Sequence, residues 1–169
     1  WEQVDDGITT RSTFGPTKTS GAVWRSRPPS TNPTRYMPVK SRVLSGELTE
    51  TNPGVTVDNI SWETVSTVAR SLDFALTVRD RSETNGTGQF PQSDFDFMTV
   101  TVDGNSGPFA VISQTANETW NVGESQTVTW DVAGTASGIV NTPTVNIYLS
   151  TDGGLTFPFL AATNVATDG

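Results

Sequence analysis

The chain has 169 residues, 34% hydrophobic and 17% charged, with a net charge of −8. It contains no Cys and no His, which excludes disulfides, zinc sites built on those residues, thiol nucleophiles and any Ser-His-Asp triad within it. The acidic balance disfavours nucleic acid, whose phosphates it repels, and no apolar run approaches the length of a membrane span.

The charge is unevenly spread. Residues 1–43 carry seven basic and three acidic side chains, whereas residues 104–169 carry five acidic and no basic ones. With 15 Gly and 10 Pro, and with Thr, Ser and Asn abundant, the mixture suits an extracellular all-β protein rich in turns. The chain begins with Trp1 and shows no signal peptide, so it reads as a piece of a longer polypeptide.

Trp1-Glu-Gln-Val-Asp5 alternates and reads as a short strand closed by Asp6-Gly7. Residues 8–67 are long and irregular and hold six of the ten prolines. Within them, Arg27-Pro-Pro-Ser-Thr-Asn-Pro33 is expected to run extended as polyproline II. Pro38 and Gly46 bracket a short helix, with Pro38 at its first position. The whole segment is read as a cover over an open sheet, held down by Trp24, Tyr36, Met37, Leu44 and Trp62.

Two runs at residues 71–80 and 94–103 carry the clearest pattern. Leu72, Phe74, Leu76 and Val78 alternate in the first, and Met98, Val100 and Val102 in the second. Period two marks strands with one buried face. The polar stretch between them, with Gly86 and Gly88, reads as a loose hairpin connection. Phe95 and Phe97 have the other parity, which predicts a bulge at residues 96–98 or, alternatively, a second apolar face there.

Asp103-Gly-Asn-Ser-Gly-Pro-Phe109 forms a joint. Strands are then expected at residues 109–114, 119–122, 126–132, 144–150 and 156–161, punctuated by Gly123 and by Asp152-Gly-Gly154.

Three segments, Trp1-Glu-Gln-Val-Asp-Asp-Gly7, Pro33-Thr-Arg-Tyr-Met-Pro38 and Leu72-Asp-Phe-Ala-Leu-Thr-Val-Arg-Asp80 with Met98-Thr-Val-Thr-Val-Asp-Gly104, resemble the region that follows the catalytic domain in secreted bacterial reprolysin-like zinc metallopeptidases. Gly107-Pro-Phe109, Gly123-Glu-Ser-Gln-Thr-Val-Thr-Trp-Asp-Val132 and Leu149-Ser-Thr-Asp-Gly-Gly-Leu-Thr-Phe157 resemble the immunoglobulin-like repeat that comes next. The family's zinc-binding His motif is missing, so peptidase activity is not implied. Residues 150–157 also resemble the Asp-box hairpin of sialidase-like propellers. There Asp152 is expected to accept amides within the turn, with Phe157 packed beneath it.

The resulting expectation is an all-β chain of two tandem immunoglobulin/cadherin-like β-sandwiches. Residues 1–103 form a cadherin- or PKD-like unit with a long irregular insertion, lacking its N-terminal strands. Residues 104–169 form an immunoglobulin-like unit lacking its C-terminal strands. The expected function is a non-catalytic spacer, adhesion or assembly module of a secreted or cell-surface bacterial protein. Its partners are other parts of the parent or neighbouring copies, joined through open sheet edges. Alternatives are a carbohydrate- or protein-substrate-binding accessory domain, with Trp24, Arg25 and Arg27 as the ligand site, and a hydrolase using Asp94 and Asp96. Calcium is the candidate cofactor, with Asp5, Asp6, Asp80, Asp103 and Asn105 as oxygen ligands at strand ends and in the joint.

Overall fold

The computed structural model describes residues 1–55, 60–80 and 92–169. Its regular secondary structure is mostly strand with very little helix, an all-β class. The chain divides into two compact units, Trp1–Val102 and Asp103–Gly169.

In the first unit, β1 (Glu2–Gln3), β2 (Arg70–Arg79) and β3 (Ser93–Val102) form an antiparallel sheet in that order. The β2–β3 register runs without a break from Arg70 opposite Val102 to Arg79 opposite Ser93. No bulge interrupts it, which corrects the expectation at residues 96–98. The strand is instead apolar on both faces. Phe95 and Phe97 lie on the face opposite Met98 and stay 62% and 65% exposed, packed edge-on against each other. Residues 81–91 of the hairpin connection lie outside the described residues.

The core sits on the other face of β2. Leu72 and Phe74 project there and meet Phe14, Val23 and Trp24 from the long irregular segment, with Trp1, Met37, Trp62, Val65 and Val102 packed around them. The segment therefore covers the sheet, but Tyr36 and Leu44 are not among its anchors, since both are exposed. The cover crosses the turn that follows β1 where only glycine fits. A Cβ on Gly21 would lie 2.9 Å from the Gly7 carbonyl oxygen. The short helix α1 (Lys40–Ser45) begins two residues after Pro38 rather than on it. Left-handed Gly46 ends α1, with Gly46 N–H donating to Val43 O (3.2 Å) and Glu47 N–H to Arg42 O (2.9 Å).

The second unit holds two antiparallel pairs, β4 (Ala110–Val111) with β5 (Trp130–Asp131), and β6 (Thr144–Leu149) with β7 (Phe159–Ala166). The strands expected at residues 109–114 and 126–132 shrink to two paired residues each, and residues 119–122 form none. Trp130 is buried, with Phe109 stacked against it at 6.2 Å between ring centroids.

Candidate functional site

The cover is fixed by ions as much as by apolar contact. Glu63 is fully buried and takes two guanidinium groups. Arg27 Nε donates to Glu63 Oε1 at 3.0 Å, while Arg27 Nη2 lies 2.9 Å from Oε2 but off the hydrogen-bond direction, an ionic contact only. Arg35 Nη2 donates to Oε1, and the Val39 amide donates to Oε2 at 2.9 Å. A buried carboxylate needs this degree of pairing, because removal from water costs several kcal/mol. Beside it, Arg42 donates to the Glu63 carbonyl at 2.8 Å and to Glu50 Oε2 at 3.1 Å. Trp62, between these carboxylates, has left-handed backbone (φ 64°), and its amide donates to Glu50 Oε2 at 2.7 Å.

The same arginines hold the proline-rich stretch beside β1. Arg35 Nη1 donates to the Trp1 carbonyl at 2.8 Å, and the Trp1 indole N–H donates to the Pro33 carbonyl at 2.7 Å. Between this arch and the C-terminal half of β2 lies a groove of about 530 Å³, with Trp1, Pro28, Pro33, Leu76, Val78 and Arg79 on its walls. That volume falls in the usual range for ligand sites, about 300–1,000 Å³.

At the other side of the sheet, β3 is the outer strand. Its even-numbered residues bond to β2, as the Asp80 amide on the Gln92 carbonyl indicates, so Phe95, Phe97, Thr99 and Thr101 direct their amides outward. Two of these are capped. Asp94 Oδ1 accepts the Phe95 amide at 2.9 Å and Asp96 Oδ1 the Phe97 amide at 2.8 Å.

The expected ligand residues are placed as follows. Trp24 is 6% exposed within the core, so its ring is out of reach of a ligand in solvent. Arg27 is engaged with Glu63, and Arg25 offers its carbonyl to Arg35. Of the expected calcium ligands, Asp5 is spent on scaffolding. Its Oδ1 accepts from Arg70 (3.1 Å), and its Oδ2 from Gln3 (2.6 Å) and the Asp73 amide (3.0 Å). Asp6 is exposed, and Asp80 Oδ1 accepts the Gln92 amide at 2.6 Å. Asp103 accepts from the Ser106 hydroxyl and from Asn105, bonds that hold its carboxyl below its ordinary value. Among the described residues, no group of three or more acidic side chains is gathered to hold a metal.

The turn after β6 behaves as the Asp-box resemblance implies for Asp152. Its carboxylate accepts the Thr156 hydroxyl (2.6 Å), the Thr156 amide (2.8 Å) and the Ser150 hydroxyl (2.7 Å). These bonds, the Thr156 hydroxyl first, lower its pKa to about 2. Phe157 differs from expectation: it is 52% exposed rather than packed beneath the turn.

Sequence reasoning missed Glu63, Arg42 and Arg70, the buried ions on which the cover depends. The available signal was the crowding of Arg25, Arg27, Arg35 and Arg42 into a proline-rich stretch of low acidity. Compared with models of known protein families, with curated proteins and with solved structures, the chain matches none.

Proposed function

We propose that the chain is a non-catalytic extracellular module that joins larger assemblies by accepting strands at its open sheet edges. The supporting observation is β3, ten residues long and outermost in its sheet, with uncapped outward amides at Thr99 and Thr101 and exposed Met98 and Val100 beside them. Long apolar edges of this kind recruit strands. On this reading both units are parts of immunoglobulin- or cadherin-like sandwiches, and the parent is a secreted bacterial protein resembling a reprolysin-like metallopeptidase. The test is light scattering coupled to size exclusion over a range of concentrations. Self-association that disappears in Thr101→Pro supports the reading, because proline removes an outward amide without touching the bonds to β2. Persistent monomer at every concentration, with no cross-link from β3 to any added partner strand, sinks it.

A second reading, a protein-substrate- or carbohydrate-binding accessory domain, is favoured by the groove beside Trp1. The hydrolase reading has no comparable support, since Asp94 and Asp96 cap the amides that follow them.

A further inference from the structure

We infer that the outer face of the first unit's sheet, around Phe95 and Phe97, docks a second copy of this chain, stacked on it about a twofold axis. The contact uses the face of the sheet rather than its edge, so it goes beyond the strand-accepting reading and does not rest on it.

The register defines the face. Residues directly opposite each other on paired strands point to the same side. Phe97 lies opposite Ala75, and Phe95 opposite Thr77. Asp73 and Arg79 share their parity on β2, and all point away from the core built on Leu72 and Phe74. The centre of this face is apolar, because Phe95 and Phe97 pack edge-on against each other and stay more than half exposed. Its two ends carry opposite charges, Arg79 at one and Asp73 at the other, both exposed. Asp73 accepts the Thr99 hydroxyl at 2.6 Å. Among the described residues, neither Asp73 nor Arg79 has an ion-pair partner in its own chain.

That order is self-complementary. At about 3.3 Å per residue, Asp73 and Arg79 are about 20 Å apart along β2, with Leu76 midway. Opposite Leu76 stands Asp96, and Phe95 and Phe97 flank it on β3. Consider a twofold axis that lies between two stacked sheets and crosses β2 at Leu76 and β3 at Asp96. It sets Arg79 of each copy over Asp73 of the other, and Phe95 of each over Phe97 of the other. One operation thus closes both ion pairs, packs the rings together between them, and closes the assembly at two copies. The rotation of about 30° between aligned sheets displaces each charge about 5 Å sideways, within reach of an arginine side chain.

Two effects oppose the contact and set its strength. Each copy carries a net charge of −8, whose repulsion is screened beyond about 8 Å at physiological salt. The overlap from Asp73 to Arg79 covers about 23 by 10 Å of sheet per copy, which places the dimer in the weak, transient class.

The test uses the full chain in about 0.15 M salt, followed by sedimentation equilibrium from micromolar concentration to about 1 mM. The wild type dimerises across this range. Phe95→Ala weakens the dimer by about tenfold or more, and so do Arg79→Asp and Asp73→Arg, each taken alone. Mixed in equal amounts, the two charge variants form a heterodimer, because one then carries both positive ends and the other both negative ones. The double variant, Asp73→Arg with Arg79→Asp, self-associates like the wild type. Monomer at every concentration, charge variants that associate undiminished, or no heterodimer on mixing overturns the contact. Should Asp73→Arg fail to fold for want of its Thr99 bond, Phe95→Ala and Arg79→Asp decide alone, and undiminished association in either overturns it. Shielding of the Phe95 and Phe97 rings from a dissolved nitroxide at micromolar concentration also overturns it, since the chain would then cover the face itself. Thr101 lies outside the overlap, so Thr101→Pro leaves this dimer intact. Association that is lost in Thr101→Pro and indifferent to both charges overturns the face contact while sparing the proposal for the β3 edge.

Discussion

Gln3 is tied to Trp24 from side chain to main chain: Gln3 Oε1 accepts the Trp24 amide at 2.9 Å and the Val23 amide at 2.7 Å. One side chain on β1 thus stands in for a strand partner to two core residues of the cover. Gln3→Leu keeps the size and removes the acceptor, leaving two amides unpaired beside the core. The expected loss is about 2 kcal/mol or more of unfolding free energy, measured by urea titration; Gln3→Glu keeps the acceptor but sets a carboxylate against Asp5 Oδ2, to which Gln3 now donates, and does not recover the loss.

Glu63 neutralises Arg27 and Arg35 in a fully buried position. Glu63→Gln leaves two guanidinium groups facing a neutral amide. Such one-sided removal costs about 3–5 kcal/mol. A loss under about 1 kcal/mol in chemical denaturation would mean that the pair is solvated and the cover is held otherwise.

The two faces of the hairpin predict opposite responses to the same truncation. Phe74 is nearly inaccessible and Phe95 mostly exposed. Phe74→Ala is expected to cost about 3–5 kcal/mol. Phe95→Ala, which loses only its edge contact with Phe97, costs no more than about 1 kcal/mol. Equal costs in denaturation would place a second packed layer on the Phe95 face.

Asp152 makes a pH prediction with a defined sign. Its pKa is lowered from an ordinary 3.8 to about 2, so its bonds stabilise the folded turn above pH 3.8. That contribution fades as pH falls from 3.8 through about 2. Carboxyl carbon shifts followed by NMR should give a midpoint near 2 for Asp152. Thr156→Val, which removes the strongest donor, should move that midpoint upward; an unmoved midpoint would assign the shift to another cause.

The alternation of Leu72, Phe74, Leu76 and Val78 with Met98, Val100 and Val102 made the central hairpin legible, because a half-buried strand writes its burial into every second residue. Phe95 and Phe97 left two readings open, a bulge or a second apolar face, and the unbroken register puts them on the opposite face. Their parity requires a break only if all apolar residues share one face, and here they do not. The cover was legible as a cover, but its anchors were not. Apolar counting selected Tyr36 and Leu44, which are exposed, and gave no weight to Glu63, Arg42 and Arg70, which are buried. Burial of an ion depends on partners distant in sequence, such as Arg27 to Glu63, and no local period encodes that. The groove was illegible for the same reason, since its walls come from the proline stretch and from β2, more than forty residues apart.

Among the described residues, polar and charged side chains make up nearly half of the buried ones. Exposing apolar surface raises the heat capacity of the unfolded chain, and exposing polar surface lowers it. The chain should therefore absorb less than the customary increment of about 12–15 cal/mol/K per residue on melting. Its stability then varies gently across temperature, with a broad, low maximum and a shallow calorimetric baseline step.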